Sequence, residues 1–216
     1  MVQVKKEHYI KEGYHSLERF IAYYSQIQLA FEYSKGGGNV LEIGVGNHTV
    51  NDYLKKFNLS VTTCDFDENL KPDIVGDVRT LPIDDNQYNV VMAFEVLEHI
   101  AFDEFEKALL EMRRVSSKYV ILSLPIYGCS LDFAIRGWNR PSFQKIFISF
   151  GLVVPFFWKD FQKDRNGFGE HYWEIGVKNI SNRRIAKIFK SAGLKMIKRS
   201  YPVLEKTTVF FVLEKF

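Results

Sequence analysis

Residues 40–47 read Val-Leu-Glu-Ile-Gly-Val-Gly-Asn, and this stretch decides the fold of the chain. Its first half is a short apolar strand that carries one acid, Glu42. Gly44 and Gly46 follow at once, and glycines permit positive φ and let a ligand lie against bare backbone. The apolar positions in residues 50–57 recur at helical spacing. The stretch therefore predicts a strand, a glycine turn and a helix in succession, a unit that binds nucleotide-like cofactors in α/β proteins.

A second short strand is predicted over residues 60–64, and it ends at Asp65. Asp65 stands 21 residues after Gly44, about where an α/β nucleotide site places the carboxylate that accepts hydrogen bonds from ribose hydroxyls. His48 occupies the third glycine position of a dinucleotide fingerprint, where a large residue opposes close packing of helix on strand. The pattern therefore predicts a ribose site but argues against NAD bound in the usual way.

Further motifs follow the predicted strands in a consistent order and spacing. The motif segments are residues 42–47, 65–66, 76–78, 81–99, 119–125 and 207–213. In this order they resemble the class I S-adenosylmethionine-dependent methyltransferases, and residues 81–99 look like the fourth-strand block of the type 11 family. The resemblance implies an α/β, Rossmann-like fold. Its sheet would have seven mostly parallel strands in the order 3-2-1-4-5-7-6, with helices on both faces.

The resemblance also implies a cofactor, S-adenosyl-L-methionine, with S-adenosyl-L-homocysteine as the product. It assigns nine residues near the carboxyl ends of strands to cofactor binding. They are Glu42, Gly44, Gly46, Asp65, Phe66, Asp77, Val78, Phe94 and Glu95. By this resemblance Asp65 accepts from the ribose hydroxyls, Phe66 packs on the adenine face and Asp77 accepts from the adenine amino group. Phe94 and Glu95 would lie beside the methionine part.

The chemistry of methyl transfer needs few catalytic groups. A sulfonium already activates the methyl group, so the protein mainly holds donor and acceptor in line and removes a proton where needed. We expect His171 and Glu174 to be the catalytic residues, because the ordinary pKa of histidine suits a general base. His99 is a weaker candidate, since capping or packing would explain it. The two cysteines, Cys64 and Cys129, indicate neither a disulfide framework nor a metal cluster, so no metal site is expected.

One methyltransferase domain is expected, because 216 residues bury a single sizeable core. We expect residues 1–35 to form an N-terminal helical cap, residues 36–126 and 173–216 the core, and residues 127–172 an insertion after the fifth strand. The insertion holds much of an aromatic fraction of 15%, which is high. We favour a lid that lines an apolar acceptor pocket. A packing or dimer surface comes second and a membrane-interface patch third.

Composition narrows the setting and the partners. The sequence shows no signal-peptide pattern and no apolar run long enough to span a bilayer, so a cytoplasmic protein is expected. Residues 178–199 contain eight Lys and Arg and no acid. A solvated basic face explains this better than a nucleic-acid patch, although nucleic acid stays possible. The sequence predicts no oligomeric state.

The function expected from these patterns is methyl transfer to a small-molecule or lipid-linked acceptor. RNA or protein methylation is the alternative within the same class of enzymes. Outside that class, the chain could be a cofactor-binding protein without transfer activity or a nicotinamide oxidoreductase, and His48 weighs against the latter.

Overall fold

The computed structural model of the chain describes residues 16–35, 37–136, 147–155, 157–158, 171–202 and 207–216. Its helices are α1 (Leu17–Tyr33), α2 (Thr49–Lys56), α3 (Phe105–Val115) and α4 (Asn182–Ser191). Its strands are β1 (Val40–Ile43), β2 (Val61–Asp65), β3 (Ile74–Val75), β4 (Tyr88–Phe94), β5 (Ser116–Pro125), β6 (Gly128–Arg136), β7 (Phe147–Pro155), β8 (Leu194–Ser200) and β9 (Thr208–Lys215).

Seven strands form the main sheet in the order β3-β2-β1-β4-β5-β9-β8. The strands from β3 to β5 are parallel to their neighbours, whereas β9 runs antiparallel to both β5 and β8. The strands β6 and β7 pair only with each other, in a separate two-stranded sheet. Counting only the main sheet, the order is 3-2-1-4-5-7-6. The Rossmann-like sheet predicted from the sequence is therefore confirmed.

The central strands are buried on both faces, as parallel strands covered by helices should be. All of β1 is buried, and residues 90–93 of β4 have no exposed surface. Because side chains alternate along a strand, Val90 and Met92 pack with α1 and α2, and Val91 and Ala93 pack with α3 and α4. Helices cover both faces of the sheet, and its carboxyl edge is left between them.

The two long flanking helices begin at serine caps that the chain supplies locally. The hydroxyl of Ser16 accepts from the Arg19 amide (3.3 Å) at the start of α1. The hydroxyl of Ser181 accepts from the Arg184 amide (3.2 Å) at the start of α4. The helix α1 is the described part of the predicted N-terminal cap, since residues 1–15 lie outside the described residues. Within the described part of the chain, no helix is long and apolar enough to cross a membrane.

The segment that follows the insertion is anchored to the core by one tryptophan. Trp173 is 1% exposed, and its indole N–H donates to the Ile100 carbonyl (3.1 Å). Two residues later, the Ile175 carbonyl accepts from the Tyr127 amide (2.8 Å). These contacts fix residues 171–174 beside the carboxyl end of β4, where ligands of open α/β sheets bind.

The insertion contains the β6–β7 hairpin in its described part. The hairpin begins where Gly128 pairs with Pro155 and extends to the pair of Arg136 and Phe147. Its base contacts the core at Gly176, where an added Cβ would lie 2.7 Å from the Pro155 Cβ. Residues 137–146 and 159–170 lie outside the described residues. The predicted role of the insertion as a lid therefore stays a prediction.

The aromatic cluster around Phe105 should dominate the stability of the core. Phe105 has no exposed surface, and its ring lies 5.0 Å from the Trp173 ring and 6.3 Å from the Phe189 ring between centroids. Phe105→Ala should lower the free energy of unfolding by about 3–5 kcal/mol, the range for deleting a buried aromatic ring. Urea denaturation measures this, with Leu110→Ala on the exposed side of α3 as the control. Equal losses in the two variants would contradict the assigned core.

Candidate active site

The glycine turn after β1 adopts backbone angles that side chains disfavour. Gly44 has a φ of +85° and Gly46 a φ of +50°. The Gly44 amide donates to the Cys64 carbonyl (2.8 Å), so the turn is joined to the end of β2. A Cβ on Gly44 would lie 2.4 Å from the Val96 Cγ2. The turn therefore meets the segment after β4 so closely that only glycine fits.

The histidine at the third glycine position has a structural reason. His48 has a φ of +64°, which is uncommon for a residue with a side chain. Its Nε2 lies 2.7 Å from the Leu70 carbonyl oxygen, and its Nδ1 lies 3.2 Å from the Asn51 Oδ1. His48 thus connects the glycine turn to the segment after β2. The sequence correctly showed a departure from the dinucleotide pattern but could not show what the side chain contacts.

Asp65 joins the two turns that would surround a ribose. It is 6% exposed; its Oδ2 accepts from the Val45 amide (3.0 Å), and its Oδ1 accepts from the Asp67 amide (2.9 Å). Burial raises the pKa of Asp65, and the hydrogen bonds from these two amides oppose the rise. The carboxylate is therefore fixed at the carboxyl edge, in the position that the sequence predicted for a ribose ligand.

Glu42 is a buried acid under the same turn. It is 4% exposed, and its Oε2 accepts from the Asn51 side-chain amide (2.7 Å). Burial raises the pKa of Glu42 to about 7, with Asn51 and Lys55 opposing the rise. A cation nearby would favour the ionised form. The site is thus suited to an ammonium group, as the predicted contact with the methionine part of the cofactor requires.

The residues predicted to hold the adenine differ in their accessibility. Phe66 is 36% exposed, so its ring can pack on a planar ligand, whereas the Val78 side chain is 1% exposed and lies in the core. Asp77 accepts from the Arg79 Nε (2.9 Å), and this pairing lowers the pKa of the Asp77 carboxyl. Arg79 also pairs with Glu104. A contact of Val78 with an adenine would therefore have to be made by its backbone, and Asp77 would make one as an ionised carboxylate.

Phe94 and Glu95 end β4 beside the glycine turn. The Phe94 ring packs 5.8 Å from the Phe210 ring between centroids. Glu95 has a φ of +55°, its amide donates to the Ser123 Oγ (3.0 Å), and that hydroxyl donates to the Glu95 Oε1 (2.8 Å). The side chain of Glu95 is thereby attached to β5, and it is half-buried.

The structure brings the two predicted catalytic residues together. The His171 Nδ1 lies 2.8 Å from the Glu174 Oε1. The His171 Nε2 lies 4.0 Å from Glu98 Oε1, and the His171 and His99 rings are 5.0 Å apart between centroids. Sequence reasoning did not select Glu98, which has no exposed surface. The detectable sign was an acid next to a histidine inside an otherwise apolar segment.

The comparisons with known proteins agree with the fold. Residues 41–122 match the family model of a methyltransferase domain. No curated protein matches the sequence. A methyltransferase of Clostridium acetobutylicum superimposes with a TM-score of 0.61 at 9% identity, covering 98% of this chain and 99% of that chain.

Two further structures have known acceptors. The 1,6-didemethyltoxoflavin-N1-methyltransferase of Burkholderia thailandensis has a TM-score of 0.59 at 10% identity, covering 90% of this chain and 78% of that chain. The magnesium protoporphyrin IX methyltransferase of Synechocystis has a TM-score of 0.60 at 13% identity, covering 100% of this chain and 90% of that chain.

The fold is Rossmann-like, and proteins of this architecture bind nucleotide-like cofactors at the carboxyl edge of the sheet. The family match over residues 41–122, the strand order and the glycine turn together support a class I S-adenosylmethionine-dependent methyltransferase. The methyl donor of this class is S-adenosylmethionine.

The close contact at Gly44 generates a prediction with an internal control. Gly44→Ala should lower the affinity for S-adenosylhomocysteine at least about tenfold, because the new methyl group must displace Val96 and reshape the turn. Gly37→Ala is the control, since Gly37 has a similar φ of +84° and no atom within 4 Å of an added Cβ. Calorimetric titration measures the affinities. Equal effects would mean that backbone strain, not the contact, decides the outcome.

Burial of Glu42 predicts how stability depends on pH. The pKa is about 7 in the folded chain against an ordinary 4.5, so the folded chain binds this proton more tightly. Its contribution to the free energy of unfolding therefore falls as the pH rises from about 4.5 to about 7. The free energy of unfolding of Glu42→Gln is compared with that of the unchanged chain, both without cofactor. This difference should grow in favour of the variant by up to about 3 kcal/mol when the pH is raised from 5 to 8.

Urea denaturation at the two pH values measures this gain. Glu68→Gln is the control, because Glu68 is exposed and should not alter the pH dependence. An unchanged pH dependence in Glu42→Gln would show that Glu42 ionises at its ordinary pKa in the folded chain.

Proposed function

We propose that the chain transfers the methyl group of S-adenosylmethionine to a small-molecule or lipid-linked acceptor at the carboxyl edge of the main sheet. The observation that carries this proposal is the placement of the glycine turn against the segment after β4. Val96 contacts Gly44, and the same segment contains Glu95, Glu98 and His99. A cofactor on the turn and an acceptor beside His171 would then be neighbours.

The cofactor is proposed to bind through the backbone of the turn and through four acids. Asp65 takes the ribose hydroxyls, because its carboxylate already lies between the turns after β1 and β2. Asp77 and the exposed face of Phe66 take the adenine. Glu42 and Glu95 lie under and beside the methionine part, whose ammonium group offsets the burial of Glu42.

Transfer itself is an in-line displacement. A lone pair of the acceptor attacks the methyl carbon, the carbon–sulfur bond breaks, and the sulfonium becomes the thioether of S-adenosylhomocysteine. We assign the removal of the acceptor's proton to the His171–Glu174 pair. The bond from Nδ1 to the Glu174 carboxylate fixes the ring and directs Nε2 towards Glu98.

Contacts within the basic segment, residues 178–199, favour a small acceptor over RNA or protein. Lys198 pairs with Glu32 (2.8 Å), and the Arg184 guanidinium lies over the Phe102 ring. These cations serve the fold, which leaves a weaker basic surface than the sequence indicated. The two similar enzymes with stated acceptors methylate small heterocyclic compounds. A methyl-transfer assay over a panel of small metabolites, lipids, RNA and protein tests the proposal.

The assignment of Asp65 predicts a specific loss of cofactor affinity. Asp65→Ala should weaken binding of S-adenosylhomocysteine by about 1–3 kcal/mol, the scale for losing hydrogen bonds to a charged group. Asp52→Ala, at an exposed acid of α2, is the control. Calorimetry measures the affinities, and circular dichroism checks that both variants fold. A folded Asp65→Ala chain with unchanged affinity would remove Asp65 from the ribose site.

The insertion is proposed to select the acceptor. Cys129 pairs with Val154 in the β6–β7 hairpin, so an Asn-Gly turn can replace residues 130–153 and close the shortened hairpin. This variant should keep its affinity for S-adenosylhomocysteine within about 1 kcal/mol, because the hairpin base at Pro155 and Gly176 is retained. Methyl transfer to the acceptor found in the panel should be lost. If cooperative unfolding and cofactor affinity were lost together, the hairpin would belong to the core.

A further inference from the structure

Glu98 stands out among the described residues as a fully buried acid without hydrogen-bond partners. It has no exposed surface, and neither of its carboxylate oxygens has a hydrogen-bond partner among the described residues. Burial and the negative charge of Glu95 raise the pKa of Glu98 well above its ordinary value. A buried carboxylate without partners is costly, so such groups are normally paired or bound to a metal.

The groups nearest to Glu98 are two imidazoles. The His171 Nε2 lies 4.0 Å from the Glu98 Oε1. One ligand atom each from Glu98, His99 and His171 can be chosen so that all three lie within 4.8 Å of one another. Ligand atoms on one metal ion at about 2.1 Å are separated by about 3–4 Å, so a small inward movement of side chains suffices.

The surrounding contacts hold these three residues in place. Glu174 accepts at the His171 Nδ1, which leaves Nε2 to face Glu98, and metal-binding histidines are usually oriented by a carboxylate in this way. The Tyr172 amide donates to the Glu98 carbonyl (2.8 Å), so the two segments are tied together at the cluster. Trp173 anchors the same segment in the core. The cluster is therefore built on the rigid part of the fold.

We propose that Glu98, His99 and His171 bind one divalent first-row transition-metal ion, whose open positions take a hydroxyl oxygen of the acceptor. Two imidazoles and a carboxylate favour ions from Mn²⁺ to Zn²⁺ over Mg²⁺, which prefers oxygen ligands alone. The nearby negative charges of Glu95 and Glu174 strengthen the attraction for a cation, and the positive charge of Arg19 opposes it. Three protein ligands leave room for acceptor atoms, as in catalytic metal sites.

The ion would determine the class of acceptor, and this step rests on the proposed function. A metal-bound hydroxyl loses its proton near neutral pH, because the cation lowers its pKa. The resulting oxygen attacks the methyl carbon, an oxygen–carbon bond forms, and the carbon–sulfur electron pair stays on sulfur. The proton passes to water. With the ion bound, His171 serves as a metal ligand in place of the general base, with Glu174 as its positioning residue, and the reaction is O-methylation of a phenol, enol or diol.

Metal binding can be tested on the whole chain without knowing the acceptor. The purified protein, freed of affinity tags and treated with chelator, is titrated with MnCl₂ and with ZnCl₂ while calorimetry and the melting temperature are recorded. At least one of the two ions should bind at one per chain and raise the melting temperature, because it binds the folded state alone. No binding heat and no rise with either ion would overturn the proposal.

Variants show whether Glu98 is a metal ligand or an acid that is only buried. Glu98→Gln keeps the shape without charge, so it should fold, and it should lower metal affinity at least about tenfold. Glu174→Gln should weaken metal binding, because Glu174 orients His171. Glu68→Gln, at an exposed acid, is the control and should bind the metal ion with the same affinity as the unchanged chain. Metal affinity unchanged in Glu98→Gln would overturn the proposal. S-adenosylhomocysteine affinity, measured in parallel, reports the proposed function independently of the metal.

Discussion

The close approach of Gly44 to Val96 is the contact on which both halves of the site depend. It brings the cofactor turn after β1 against the segment that follows β4, with no room for a Cβ between them. Because that segment carries Glu95, Glu98 and His99, the glycine turn sets the distance between a bound cofactor and the histidine cluster. Parallel pairing of β1 with β4 fixes the approach, since their carboxyl ends meet at one edge.

Two buried acids lie near this contact, and each lacks a full complement of partners. Glu42 has one hydrogen bond from Asn51 below the turn, and Glu98 has none among the described residues. Burial raises the pKa of both groups. Acids of this kind reduce stability in the ligand-free chain, and natural proteins keep such groups mainly where they serve a ligand. A cation is the ligand that would stabilise either one.

The sequence predicted the sheet and the glycine turn well, because their signals are local. A glycine turn after an apolar strand fixes Gly44 and Gly46, and strand spacing then places Asp65. The cluster around His171 could not be predicted in the same way. His171 and Glu98 are 73 residues apart in the chain, and the anchoring of Trp173 and the bond from the Tyr172 amide to the Glu98 carbonyl bring them together. The burial of an acid is also invisible in a sequence, since charged residues are normally exposed.

The expectation that no metal site exists rested on the cysteines, whereas the proposed site uses a carboxylate and two imidazoles that the fold brings together. Glu98 and His99 lie in a 3₁₀ turn directly after β4, which places both side chains near the edge of the sheet instead of along a strand. The segment from His171 to Trp173 then crosses over this turn and contributes the second imidazole. A ligand set proposed from a turn and a distant return segment has no regular spacing in the sequence. It becomes recognisable only when an unpartnered, fully buried carboxylate is found beside two histidine rings.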